Sequence, residues 1–293
     1  MKNIRFVKSL VMNINQNPPQ EEIDQLKTLL NKGRFSLVFE YAESIIQNYP
    51  NSFIVWNILG VSAYEIQKFD YAIRSYKKAI SINPKYAHAY NNLGILLRVK
   101  GKIDSAIEAY KKAILNKPDN ALFYNNLGAV LSEQGKNNEA IEACKKAILL
   151  KSDYAEAYNN LGAILRDEGK NAVAIEACKK AILLKSDYAE AYNNLGAILR
   201  DEGKIIEAKE ACKKAILLKS DYAEAYNNLG AILRDEGKIA KAIDACKKAT
   251  LLKPNYAEAY YSLSFSYNLK GDFEKGFRLY EWRLREKRFI ARS

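Results

Sequence analysis

A fixed interval of 34 residues constrains this chain more than any other feature. Gly60, Gly94, Gly128, Gly162, Gly196 and Gly230 keep that spacing, and so do Ala72, Ala106, Ala140, Ala174, Ala208 and Ala242. Ala79, Ala113, Ala147, Ala181, Ala215 and Ala249 form a third column, and Gly101, Gly135, Gly169, Gly203, Gly237 and Gly271 a fourth. Residues 151–170, 185–204 and 219–238 all read KSDYAEAYNNLGAILRDEGK. A unit this short cannot bury an apolar face by itself, so its stability must come from stacked neighbours.

Each unit reads as two helices. From Ala155, the residues Tyr158, Leu161, Gly162 and Leu165 follow the i, i+3, i+4, i+7 stripe of an amphipathic helix. Gly169 stands where a left-handed C-cap is wanted, a conformation that glycine takes without penalty. Ala174, Cys178, Ala181 and Ile182 give the inward face of a second helix. Asp187 with Glu190 makes a capping-box pattern for the helix that follows. The small Gly and Ala columns let helix backbones approach closely.

These residues resemble the tetratricopeptide repeat (TPR) family. The match runs through Trp56-Leu59-Gly60 and Tyr90-Leu93-Gly94, with Ala106, Tyr110, Ala113 and Pro118 in the following helix. The resemblance implies an all-α, right-handed superhelical solenoid of 34-residue helix-turn-helix units. Its expected organisation is an extension at 1–18, a degenerate capping unit at 19–52, and six units at 53–86, 87–120, 121–154, 155–188, 189–222 and 223–256. A degenerate unit and capping helix at 257–293 complete it. There Ser264 replaces Gly, and Gly276 and Arg283 replace Ala. Atypical terminal repeats are what a solenoid needs as caps.

The four cysteines, Cys144, Cys178, Cys212 and Cys246, occupy one column that elsewhere holds Tyr76, Tyr110 and Tyr280. They read as core residues. Members of one column sit on second helices separated by an intervening helix, too far apart for a disulfide. A metal site is excluded on the same geometry, and free buried thiols fit a cytoplasmic setting.

Asparagine is the better candidate for function. Asn91-Asn92, Asn125-Asn126, Asn159-Asn160, Asn193-Asn194 and Asn227-Asn228 recur as pairs, and Asn57 begins the series alone. Glu156, Asn160, Ala163 and Asp167 make a stripe distinct from the apolar one, flanked by Asn159 and Arg166. In the family that face lines a concave groove. The resemblance therefore implies a polar ladder, similar to that in the TPR arm of O-GlcNAc transferase, gripping an extended peptide. One carboxamide offers both donor and acceptor to a peptide group. His88, Arg98, Arg166, Arg200 and Arg234 belong to the same expected groove, and Ala129, Ala163, Ala197 and Ala231 keep it open. The same asparagines could instead bridge adjacent repeats, and near-identity could record recent duplication. A carboxylate clamp of the family type is not expected. Glu156, Glu190 and Glu224 occupy the central groove columns, and only the unit with His88, Asn91, Asn92 and Arg98 is acid-free on this face.

With one His, no Gly-rich phosphate loop, no HExxH and no GxSxG, neither catalysis nor a cofactor is expected. No stretch is apolar enough to span a membrane. Residues 1–17 could at most form a short amphipathic helix lying on one. The lysine pairs from Lys77-Lys78 to Lys247-Lys248 read as a solvated convex face.

The net charge of +12 first suggests nucleic acid. By unit, however, it is +3 for 1–18, −2 for 19–52, +3 each for 53–86 and 87–120, zero for each of the three units in 121–222, +2 for 223–256 and +3 for 257–293. The duplicated middle contributes none of it, which disfavours nucleic acid. Residues 271–288 resemble the junction that leads into a glycosyltransferase or sulfotransferase domain in some bacterial TPR proteins, with no such domain expected after Ser293. An accessory to a separate transferase is therefore one reading. In this last segment Phe273, Phe277, Tyr280 and Leu284 are expected to cover the array's end, or Trp282 and Phe289 to anchor a partner. The leading expectation is a scaffold or adaptor that binds a protein or peptide ligand in an Asn-lined groove. Its ends are candidates for self-association.

Overall fold

The structure is a computed structural model that describes residues 17–282. Residues 1–16 of the expected N-terminal extension, and Arg283, Leu284 and Phe289, lie outside the described residues. The chain divides into two compact units, one ending at Ala143 and the other beginning at Cys144.

All regular structure among the described residues is helical. The first unit holds α1 (Gln20–Asn31), α2 (Phe35–Asn48), α3 (Phe53–Glu65), α4 (Phe69–Ile82), α5 (Ala87–Val99), α6 (Ile103–Asn116) and α7 (Ala121–Glu133). Next, α8 (Asn137–Leu150) contains the division. The second unit continues with α9 (Ala155–Asp167), α10 (Asn171–Leu184), α11 (Ala189–Asp201), α12 (Ile205–Leu218), α13 (Ala223–Asp235), α14 (Ile239–Leu252), α15 (Ala257–Lys270) and α16 (Phe273–Tyr280).

Within each unit, odd-numbered helices form one layer and even-numbered helices the other. In the second unit α9 touches α11, α11 touches α13, and α13 touches α15. Of the even-numbered helices, α10, α12 and α14 each pack instead between two odd-numbered ones and do not touch one another, and α16 packs on α15. The odd-numbered layer is therefore the closely spaced inner side of this unit. The first unit repeats the pattern, with α1, α3, α5 and α7 in succession.

Close approach within a pair explains the glycine column. A Cβ added at Gly162 would stand 2.6 Å from Cys178 Sγ and 3.2 Å from the carbonyl oxygen of Ala174. Cys178, Ala174 and Ala181 are fully buried. The pair then turns at Gly169, whose φ is +70°. Its N–H donates to the carbonyl of Arg166 and that of Lys170 to Leu165, both at 2.8 Å. These are the two bonds of a Schellman motif, which satisfy carbonyls the helix leaves open. Gln67 takes the same left-handed turn at φ 61° without being glycine, a strain of about 1 kcal/mol.

Helix entry departs from expectation. The helices begin at Ala155, Ala189 and Ala223, after Tyr154, Tyr188 and Tyr222, and none of these cap residues contributes a side-chain cap bond. Asp187 lies one residue too early, so the Asp187/Glu190 capping box does not form. Instead Lys185 Nζ sits 4.8 Å from the centre of the Tyr188 ring, and Tyr188 hydrogen-bonds Asn159. An anchored tyrosine marks the start of the helix. Where the column holds Asn120 instead, its side chain accepts from the Leu122 N–H at 3.0 Å, an ordinary N-cap.

The last helix also differs. Phe273, Phe277 and Tyr280 are 57%, 65% and 38% exposed, so they do not cover the array's end. It is Gly276 and Leu279 that α16 presents to the core. The two swaps foreseen in this pair compensate each other. Ser264 Oγ donates to the Gly276 carbonyl at 2.7 Å, and a Cβ on Gly276 would fall 1.7 Å from Asn268 Oδ1.

Candidate functional site

The paired asparagines are not equivalent. Asn91, Asn125, Asn159, Asn193 and Asn227, the first of each pair, are buried at 2–7% exposure. The second of each pair, Asn92, Asn126, Asn160, Asn194 and Asn228, is half-buried. In the first unit Asn92 Nδ2 donates to Asn57 Oδ1 at 3.0 Å, and Asn126 Nδ2 to Asn91 Oδ1 at 2.9 Å. In the second, Asn194 Nδ2 donates to Asn159 Oδ1 at 2.9 Å and Asn228 Nδ2 to Asn193 Oδ1 at 2.8 Å. Each bond joins residues 35 apart, so the amides tie one repeat to the next. A buried amide left without partners costs about 1–3 kcal/mol, which gives this chain of bonds a structural role whatever else it does.

The buried member also contacts a residue that periodicity alone did not single out. Asn159 hydrogen-bonds the Tyr188 hydroxyl, Asn193 that of Tyr222, and Asn227 that of Tyr256. Burial first, and then nearby glutamates such as Glu156 and Glu190, push the Tyr188 and Tyr222 phenols well up, so they stay neutral hydroxyls that accept from the amides. The available signal was the 34-residue spacing of Tyr154, Tyr188, Tyr222 and Tyr256.

Three of the four expected arginines are spoken for. Arg98 Nε meets Glu133 Oε1 at 2.9 Å, so the face read as acid-free receives its acid from the neighbouring repeat. Arg166 Nε meets Asp201 Oδ2, and Arg200 Nε meets Asp235 Oδ2, each at 2.6 Å. Arg234 has no carboxylate within 4.0 Å among the described residues. Its guanidinium lies 4.9 Å from the centre of the Phe265 ring. The groove glutamates are also paired, Glu156 with Lys185 and Glu190 with Lys219 at 3.6 Å, and Glu224 with Lys253 at 2.6 Å.

His88 is half-buried, edge-on to Phe123 at 5.4 Å between centroids. Burial, and secondarily the Lys117 charge, lower its pKa and keep the imidazole neutral at pH 7. The four thiols are free and fully buried. Burial pushes Cys144, Cys178 and Cys212 up to about 12 and Cys246 to about 11, far from a reactive thiolate. Trp282 stacks on Tyr260 at 3.9 Å, so it is engaged within the chain. The paired lysines are exposed on the even-numbered helices.

Within the second unit these columns converge on a cleft of about 470 Å³ lined by residues of α9, α11, α13 and α15, among them Arg166, Arg200, Asn228, Ala231 and Arg234. The odd-numbered helices thus present their polar residues to one open space. The three arginines of this unit meet there with Asn227 and Asn228, and with Asp167, Asp201 and Glu258; Asn160 and Asn194 do not line it, and His88 and Arg98 belong to the first unit. No helix among the described residues is long and apolar enough to cross a membrane.

Family profiles agree with this architecture. A TPR repeat matches residues 60–98, 96–135 and 130–165, and the tetratricopeptide repeat matches 155–188, 189–222 and 223–256. The chain belongs to the tetratricopeptide repeat family. No curated protein matches it significantly. Among solved structures it is similar to a chain of the APC/C hetero-tetramer Cut9-Hcn1, at 19% identity and TM-score 0.75, over 89% of this chain and 51% of that one. This chain therefore spans about half the length of that relative. A TPR protein of Parabacteroides merdae aligns at 17% identity and TM-score 0.68, over 84% and 98% of the two chains. PilF of Pseudomonas aeruginosa aligns at 21% and 0.60, over 71% and 94%. At these identities the likeness concerns the fold.

Proposed function

We infer that this chain is a non-catalytic scaffold or adaptor that receives an extended peptide, or a partner surface, along the inner face of its odd-numbered helices. The observation that carries the inference is the convergence of Arg166, Arg200 and Arg234, from three successive repeats, with the half-buried Asn228 on one cleft. The half-buried Asn92, Asn126, Asn160, Asn194 and Asn228 are the members most open to a ligand, while the buried Asn91, Asn159 and Asn193 hold the repeats in register and the buried Asn227, which receives no such bond, lines the cleft. Four buried thiols fit a reducing, cytoplasmic setting.

Affinity should be modest. The ladder amides already bond to one another, and each further hydrogen bond adds only about 1 kcal/mol net against an association cost of about 4–15 kcal/mol. A dissociation constant on the order of micromolar is expected.

The test is to fill the groove while leaving the inter-repeat bonds intact. Ala163, in the column of Ala231, is half-buried on this face. Immobilised wild type, Ala163→Tyr and the outer-face control Lys213→Gln are to be compared for capture from native extract, quantified by mass spectrometry, with melting checked for each. Proteins retained by wild type and Lys213→Gln should be depleted by Ala163→Tyr. Equal retention by all three folded proteins would rule out the groove as the binding face.

A further inference from the structure

We propose that the cleft at the junction of α13 and α15 binds an acidic peptide segment, whose carboxylate pairs with Arg234 while an N–H of the same segment donates to Asn227. This rests on the groove reading above and names the ligand chemistry at one place along it.

The second unit contains its own controls. At the α9/α11 junction Asn159 Oδ1 receives Asn194 and Arg166 receives Asp201; at α11/α13, Asn193 receives Asn228 and Arg200 receives Asp235. In every case the partner stands 35 residues on. At α13/α15 those positions are Ser262 and Leu269. Both expected partners are therefore missing from the same junction.

The consequences appear at both groups. Asn227 is only 2% exposed, its side chain hydrogen-bonds Tyr256, and Oδ1 has no donor. A buried acceptor in that state is unfavourable until a donor arrives. Arg234 keeps its charge without a carboxylate, beside the like charge of Arg200. Phe265, in a column that holds Ala231 one repeat earlier, places its ring under the guanidinium. The arginine is thereby oriented before any ligand binds. Asn227, Arg234 and Ser262 all line the 470 Å³ cleft.

The two groups demand different things of a ligand. Arg234 calls for an anion and Asn227 Oδ1 for an N–H or O–H donor. A simple inorganic anion meets the first need and serves the second poorly. A peptide carrying Asp or Glu supplies both, one from its side chain and one from its backbone amide. The ligand would stand in for the amide and the carboxylate that positions 262 and 269 do not provide.

The experiment measures fluorescence polarisation of the full chain with a labelled eight-residue peptide of alternating Gly and Asp, and with its Gly–Asn counterpart. The Asp peptide should bind at least about tenfold more tightly, and Arg234→Gln should remove about the same factor, as one charge-assisted hydrogen bond would. Ser262→Asn combined with Leu269→Asp restores the internal partners, so it should raise the melting temperature and abolish binding. Lys213→Gln should change nothing. Equal binding of the two peptides, unaltered binding to the Ser262→Asn/Leu269→Asp variant, or an equal loss with Lys213→Gln would overturn the proposal, the last by showing only diffuse charge attraction. If Ala163→Tyr still blocks partner capture while the Asp peptide fails to bind, this proposal falls and the groove reading stands.

Discussion

In the first unit a tyrosine ring packs against the glycine of the inner helix; in the second unit a cysteine does so. A Cβ on Gly94 would stand 2.8 Å from Tyr110 Cε1. One on Gly196 would stand 2.5 Å from Cys212 Sγ and 3.0 Å from the Ala208 carbonyl oxygen. The smaller side chain does not leave room. Beside the sulfur stands a carbonyl oxygen that cannot rotate away. Residues of very different size thus crowd the same position, and glycine is required in both cases.

The largest expected effect tests that difference directly. Gly196→Ala should destabilise the second unit by about 2–3 kcal/mol and Gly94→Ala the first by a similar amount, as overpacking does. Tyr110→Cys should rescue most of the Gly94→Ala loss. Cys212→Ala should rescue only part of the Gly196→Ala loss, since the carbonyl remains. Chemical denaturation of the four single and two double variants reads this out, and full rescue in both units would refute the backbone explanation.

Next in size is the ladder. Asn193→Ala strands the Asn228 amide and the Tyr222 hydroxyl, at about 1–3 kcal/mol, whereas Asn227→Ala removes an oxygen that already lacks a donor and should cost clearly less. Equal costs in thermal denaturation would mean that the last junction is no different from the others. A smaller gain is expected in the first unit. The Tyr110 hydroxyl is buried without a partner, so Tyr110→Phe should stabilise by up to about 1 kcal/mol.

Alkaline titration separates the units by onset. Thiols that burial holds up at about 12 at Cys178 and Cys212 keep their protons when folded, while unfolded chains release them near pH 9. Above pH 9 the folded state binds more protons, so stability falls with rising pH until the folded values are reached. Tyr76 and Tyr110 are likewise raised by burial, from 10, so the first unit should begin to lose stability about one pH unit higher. Replacing Cys144, Cys178, Cys212 and Cys246 by Ala should remove the earlier onset in a melting series from pH 8 to 11.

Much of the fold was legible because a repeat reports the same environment several times over. Gly169, Ala174 and Cys178 could be assigned to turn and core from their columns alone. The candidate site was less legible. Asn159 and Asn160 are adjacent in sequence and identical in type, yet one is buried and its neighbour half-exposed, depending on a residue 35 positions on. The expected capping box failed for a related reason: Tyr188 is fixed by Lys185 and Asn159, and that contact rather than Asp187 sets where the helix begins.

The sequence by itself determined the period, the pairing of helices, the left-handed turns and the inward small-residue columns. Each of these follows from local propensity or from a spacing that recurs. Only the tertiary structure decided which polar groups are satisfied. Whether an amide or a guanidinium finds its partner is a property of the junction between repeats, and a single substitution there, Ser262 for asparagine or Leu269 for aspartate, leaves a buried group open without disturbing the period around it.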